Sequence, residues 1–171
     1  MTLVIHDMDE TAAKAFDFKD AEVIKNNGKI RNCIGCFGCW TRTPGECIIH
    51  DGYENMGKLL SKCDRLIIIS RSCFGGYSPF VKNVFDRSIS YVLPDFEIRG
   101  GEMHHKRRYD NVIEIELYMY GENITEEEKK TAENIVRANA ANFDGRVKKI
   151  SFKKRAEDFG GDIVCLSLIH I

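Results

Sequence analysis

The sequence predicts an α/β protein, a mostly parallel sheet with helices on both faces. Strand-like and helix-like segments alternate along the chain. Arg65-Leu-Ile-Ile-Ile-Ser70 carries four consecutive apolar residues, three of them β-branched, as a strand buried on both faces requires. Two helix starts carry explicit capping chemistry: Ser78-Pro79, with serine as cap and proline at the first helical position, and the box Thr125-Glu-Glu-Glu128.

Taken in order, Leu3-Val4-Ile5 is a short buried-strand run, and a first helix is expected over about Glu10 to Phe16. Ala21-Glu-Val-Ile24 is a second, weaker strand. Asp51 is placed to cap a helix with Glu54 three residues on, and Met56, Leu59, Leu60 and Cys63 follow at helical spacing. After the strand at 65–70, Val81, Val84, Phe85, Ser88, Ile89 and Val92 form the inner face of the helix opened by Ser78, and Pro94 ends it. Asp95 to Asp110 reads as a long polar excursion. Asn111 to Tyr120 is a strand, the helix from Thr125 runs through Ile135 and Val136 toward Phe143, and Val147 to Phe152 is a further strand. Ligands of such sheets lie beyond the C-terminal strand edges, which singles out the loops 6–11, 71–78 and 120–125.

A chain of 171 residues suits one ordinary domain, placed here at 1–160. With 43% hydrophobic and 30% charged residues the balance is that of a globular protein. A net charge of −1 gives no basic excess for nucleic acid or an anionic membrane, and no apolar run approaches the roughly 20 residues of a bilayer helix. Met1-Thr-Leu-Val-Ile-His6 enters a strand without a basic leader. Seven cysteines without a secretory signal then point to a reducing compartment, and the expected location is the cytoplasm.

Four of those cysteines, Cys33, Cys36, Cys39 and Cys47, are spaced C-x2-C-x2-C-x7-C. Thiolates this close on a glycine-bearing loop are a candidate metal set, nearer in spacing to iron–sulfur loops than to zinc ribbons. Three readings stand: an iron–sulfur cluster such as [4Fe–4S], a zinc ion, or free thiols in a tight turn. Cys63 and Cys165 fall in apolar settings and are expected in the core.

The second candidate site is the glycine-rich bend between strand and helix, with Ser70, Ser72, Cys73, Phe74, Gly75, Gly76, Tyr77 and Ser78. Glycines let backbone amides reach a planar ligand, and an aromatic ring covers its face. The segment Ser70 to Arg87 resembles the flavin-contacting loop of flavodoxin-like NAD(P)H-dependent FMN and quinone reductases: Ser70, Phe74, Gly75, Ser78, Lys82, Phe85, Asp86 and Arg87 fall on matching positions. Val81 replaces a leucine, Arg71 stands at a proline position and Cys73 at a tyrosine position. The cysteine loop is similar to that of the iron–sulfur flavoproteins of the same superfamily, and Tyr120-Gly121-Glu122 to the third loop bordering the flavin.

The resemblance implies a flavodoxin-like three-layer sandwich of five parallel strands, order 2-1-3-4-5, associating as a homodimer. It implies an oxidoreductase in which FMN takes hydride from NAD(P)H and passes electrons to a quinone, flavin, iron–sulfur centre, small electrophile or redox protein. Cofactor contacts then fall on the backbone amides of residues 73–78, on Phe74 or Tyr77 over the ring, and on Tyr120, Gly121 and Glu122; no side-chain acid or base is needed. The alternatives are an iron–sulfur electron carrier without flavin, and a non-catalytic half-unit serving dimerisation.

One departure stands out. The family's phosphate loop after the first strand is rich in small polar residues, whereas here it reads His6-Asp7-Met8-Asp9-Glu10-Thr11. Three carboxylates suit a helix start but repel a phosphate dianion by about a few kcal/mol, and no glycine supplies an anion nest. Asp162 to Ile171 is a surplus strand-like run, read as the opening of a second such unit, an extra edge strand, or residues foreign to the native gene. His104-His-Lys-Arg-Arg108 is expected as a solvated basic loop, with phosphate contact as its functional alternative. Trp40 is expected to pack, with stacking on a flavin as its alternative.

Overall fold

The computed structural model describes residues 1–163. Five parallel strands, β1 (Thr2–His6), β2 (Ala21–Lys25), β3 (Arg65–Arg71), β6 (Glu114–Tyr120) and β7 (Arg146–Lys153), form one sheet in the order β2-β1-β3-β6-β7. This is the expected 2-1-3-4-5 arrangement. The helices are α1 (Glu10–Ala13), α2 (Gly38–Thr41), α3 (Met56–Leu60), α4 (Pro79–Arg87) and α5 (Glu126–Asn142). Strands β4 (Val92–Arg99) and β5 (Glu102–Arg107) make a separate antiparallel pair.

Alternation along each central strand builds the two faces. Leu66 and Ile68 of β3 join Leu3, Ile5, Ile115 and Leu117 beneath α3, α4 and α5. Ile67 and Ile69 face the other way with Val4 and Tyr118, covered by α1 and the short 3-10 turn Ala156–Phe159. Glu116 is buried on that second face, where Arg65 binds it with Nε–Oε1 of 2.7 Å and Nη2–Oε2 of 3.0 Å and the Tyr118 hydroxyl donates to it at 2.7 Å. The bidentate geometry satisfies a carboxylate that is costly to bury alone.

Both capping signals act as expected. Ser78 Oγ accepts from Val81 N, and Thr125 and Glu128 exchange bonds in a reciprocal box. Elsewhere the expectations need correction. The first helix stops at Ala13, after which Ala15 N and Phe16 N bond three residues back in looser turns. Asp51 does not cap α3, whose cap residue is Asn55. The helix from Ser78 ends at Arg87, and Ile89–Tyr91 form a 3-10 turn leading into β4, so Pro94 lies in a strand. The polar stretch 95–110 is largely the β4–β5 hairpin, and the strand expected from Asn111 begins at Glu114. Of the surplus C-terminal run, residues 164–171, with Cys165, lie outside the described residues.

Gly57 shows how closely α3 is seated. A Cβ there would lie 2.4 Å from Ser90 Oγ and 3.0 Å from both Ser90 C and Tyr91 N. Alanine would gain about 1 kcal/mol of helix propensity, but an overlap with backbone outweighs it. Gly57→Ala is expected to destabilise the fold by about 1–2 kcal/mol, read as a lower urea midpoint with an unchanged slope.

Candidate functional site

In this sheet the strand order reverses between β1 and β3, the crevice where ligands of such folds bind. Here the chain fills it. Asp7, one residue beyond β1, accepts from Arg71 N at 3.2 and 3.0 Å through its two carboxylate oxygens, and Tyr120 OH donates to its Oδ1 at 3.0 Å. One carboxylate thus ties the ends of β1, β3 and β6. Burial, then the charge and hydrogen bond of Asp7, push the Tyr120 hydroxyl well above its ordinary range. Asp9 caps α1, its Oδ1 accepting from Thr11 N and Ala12 N, both at 2.8 Å. Two amides of this helix start thus already serve Asp9, and Asp7, Asp9 and Glu10 surround it with negative charge. An FMN phosphate does not fit this loop.

The bend after β3 is built by four bonds. Cys73 and Gly76 exchange amide-to-carbonyl bonds of 2.9 Å in both directions, closing a two-residue turn over Phe74 and Gly75. Both central residues have positive φ, 52° and 79°, a type I′ turn. Gly75 is required twice: by its φ, and because a Cβ would meet Glu128 O at 2.6 Å and Thr131 Cβ at 2.8 Å. Gly75 N donates to Ser72 Oγ at 3.2 Å, and Ser78 N to the buried Ser70 Oγ at 2.9 Å. The amides of Cys73, Gly75, Gly76 and Ser78 therefore have acceptors within the chain.

The two aromatic residues of the bend part company. Phe74 is 88% exposed at the turn tip, in a left-handed conformation that costs an L-residue about 1–2 kcal/mol. Tyr77 is buried, stacked on Phe85 at 5.2 Å with its hydroxyl donating to Asn139 Oδ1 at 3.0 Å. Ser72 N donates to Tyr120 O at 2.8 Å and Gly121 N to Lys153 O at 3.1 Å, so the third loop adjoins the bend, with Glu122 exposed beside it.

The cysteines lie elsewhere. Cys33, Cys36, Cys39 and Cys47 line a single cavity of about 520 Å3, walled also by Phe37, Ile49, Phe85, Arg87 and Phe143. It sits at the C-terminal end of α4, and the bend sits at its N-terminal end, about 13 Å along a nine-residue helix. Cys33 and Cys36 are exposed, and Cys39 and Cys47 buried. Burial first, then the neighbouring thiols Cys47, Cys33 and Cys36, raise the Cys39 thiol. Among the described residues, no three His, Cys, Asp or Glu groups stand where they would hold one metal ion.

What positions this loop is a residue that spacing arguments did not single out. Arg87, 1% exposed, spends all five N–H groups: on Cys47 Sγ at 3.1 Å, Arg31 O and Ile49 O at 2.8 Å each, and the two oxygens of Asp51 at 2.9 and 3.0 Å. Asp51 had read as a helix cap because Glu54 follows it at the right distance; Glu54 does accept from Asp51 N and Gly52 N, in a turn that stops short of α3. Trp40 packs, stacked on Phe37 at 5.4 Å with Nε1 donating to Val92 O at 3.0 Å. The basic tract is structural as well: Arg107 pairs with Asp144 at 3.0 Å, Arg108 Nε donates to Ser90 O at 3.0 Å, and His105 lies against Trp40 and Phe96.

No protein-family model matches this chain, and no curated protein matches it. Solved structures do, at low sequence identity. The Trp repressor binding protein from Bacillus subtilis superposes with a TM-score of 0.56 at 14% identity, covering 96% of this chain and 99% of that one. Azoreductase AzrA gives 0.54 at 8% identity over 94% and 90% of the two chains. An FMN-dependent NADH-azoreductase from Bacillus anthracis str. Ames Ancestor, in complex with FMN, gives 0.53 at 10% over 88% and 85%. The fold is flavodoxin-like.

The Asp51–Arg87 pair makes acid stability a test of this geometry. Burial alone would raise the Asp51 carboxyl, but the Arg87 guanidinium and the amides of Arg31 and Tyr53 outweigh it and hold it down, from 3.8 to about 2. A depressed folded-state value stabilises above the unfolded value, and that contribution is lost as pH falls through the folded one. Stability of about 2 kcal/mol is expected above pH 4 and lost toward pH 2, a share of the acid dependence missing from Asp51→Asn in urea titrations across that window.

Proposed function

We propose that this chain is a redox protein of the flavin-dependent oxidoreductase class, acting on NAD(P)H and passing electrons to a quinone, flavin, iron–sulfur centre or small electrophile. The observation that carries the reading is Phe74. A large aromatic ring is held in solvent, at 88% exposure, in a strained left-handed turn at the C-terminal edge of the central strand. Strain of this kind persists where the surroundings over-determine it, typically at ligand sites. Resemblance of the segment 70–87 to flavin-contacting loops, and a fold shared with azoreductases, support the same reading.

In this reading the isoalloxazine ring lies against Phe74, bordered by Ser72, Gly121 and Glu122. A flavin there would supply hydride acceptance from NAD(P)H and onward electron transfer. The chain's own part is to present the ring face and to wall the edge with the 120–122 loop. Tyr77 acts from below, holding the bend to α5 through Asn139. Homodimer formation and a cytoplasmic location belong to the same proposal; exposed Ile34, Phe37, Phe96, Ile98 and Met103 offer apolar surface for a second copy, and no helix among the described residues is long and apolar enough to cross a membrane.

Phe74→Asn separates strain from function. Asparagine tolerates the left-handed turn, so unfolding stability is expected to hold or rise by about 1 kcal/mol, while flavin affinity in a fluorescence titration falls at least about tenfold. Unchanged affinity would place the ring elsewhere.

A second reading rests on a separate observation, four thiols on one cavity. A cluster takes each thiolate on its own iron, so the sulfurs surround a volume instead of converging on a point. Arg87 Nε donating to Cys47 Sγ at 3.1 Å is the kind of bond that tunes such a centre. Anaerobic purification tests it: a broad brown thiolate-to-iron absorption lost in Cys39→Ser supports a cluster, and an iron-free, colourless protein leaves the set as free thiols.

A further inference from the structure

The crevice between β1 and β3 contradicts the flavin most readily expected of this fold, and the contradiction has a direction. We infer that the chain discriminates against the 5′-phosphate and takes an unphosphorylated flavin, of the riboflavin class, in preference to FMN. The inference rests on the flavin reading above and narrows its ligand.

A flavin whose ring lies on Phe74 would direct its ribityl tail toward the loop after β1, because Ser72 is bonded to Tyr120 and Tyr120 to Asp7. A phosphate on that tail needs free N–H donors and positive potential. The loop falls short on both counts. The amides of Thr11 and Ala12 are held by Asp9 at 2.8 Å, and that of Arg71 is held by Asp7. Glu10 adds a third acidic side chain to the first turn, and α1 is only four residues long, too short to contribute an appreciable dipole. No glycine occurs between His6 and Ala13 to reshape the backbone around an anion. The cations at hand are Arg71, whose charge acts on Tyr120 together with those of Asp7 and Asp9, and Lys25, whose charge acts on His6 at the end of β1. They oppose two of three acidic groups and leave the excess negative.

A neutral ribityl chain meets the same groups on different terms. Its hydroxyls donate to carboxylate oxygens, and charge-assisted bonds of that kind are stronger than neutral ones. Acidic side chains that repel a dianion are thus acceptors for a polyol. The same residues that exclude FMN select riboflavin.

Titration of the full chain with riboflavin and with FMN, followed by flavin fluorescence, tests this directly. Riboflavin is expected to bind at least about tenfold tighter, the size of one partly screened charge repulsion. Raising the ionic strength is expected to narrow the gap from the FMN side alone. Asp9→Asn keeps a capping side chain while removing a charge, and is expected to tighten FMN about tenfold while weakening riboflavin, which loses a charged acceptor. FMN binding more tightly than riboflavin to the unmodified chain would overturn the inference and leave the flavin reading standing. A gap insensitive to both salt and Asp9→Asn would overturn it too, since the carboxylates would not be its cause. Binding of neither flavin would remove the flavin reading itself.

Discussion

A single buried guanidinium organises the part of this molecule that the sheet does not reach. Between β2 and α3 the chain runs for thirty residues with one four-residue helix, α2, and little regular structure to satisfy its backbone. Arg87, at the end of α4, gathers that segment by bonding two of its carbonyls, one thiol and both oxygens of Asp51. A charged side chain that is 1% exposed is tolerable only because every N–H has a partner. Removing it would leave Asp51 charged and buried, and would free the segment that carries all four clustered cysteines. The thiol-lined cavity exists because of this bond set.

The opposite end of α4 follows a different logic. There the strand ends converge on Asp7, and the chain closes with its own acidic groups the crevice that this topology leaves open. Closure at one point shifts the available surface outward, to the tip of the bend where Phe74 stands. The two candidate sites therefore differ in kind. One is a pocket open to solvent at Cys33 and Cys36 and lined by sulfur, apolar and a few polar side chains, and the other an external aromatic face beside an acidic loop. Nine residues of α4 separate them.

Much of the scaffold was legible in the chain. The apolar run of β3 cannot be mistaken for an exposed strand, since an apolar residue at every position has to be covered on two sides, as Leu66, Ile67, Ile68 and Ile69 are. Caps are equally legible, because Ser78 and Thr125 act on amides three residues away. Local spacing misled at Asp51, where a cap pattern and a turn pattern share the same separation and only the position of Arg87 decides between them. It was silent on the β4–β5 hairpin, whose alternation is obscured by the basic tract; those arginines reach Asp144 and Ser90, contacts distant along the chain.

Alternation of strands and helices, the capping boxes and the glycines of the bend were set by residue type alone, since each depends on neighbours within a few positions. So was the acidity of the loop after β1. Tertiary structure decided what these pieces do together: that Phe74 faces solvent while Tyr77 turns inward to Asn139, that Asp7 spans three strand ends, and that four cysteines meet one cavity under Arg87. The physical reason is range. Backbone preferences act over a turn, whereas burial and charge pairing act between segments that only the folded sheet brings within a few ångströms.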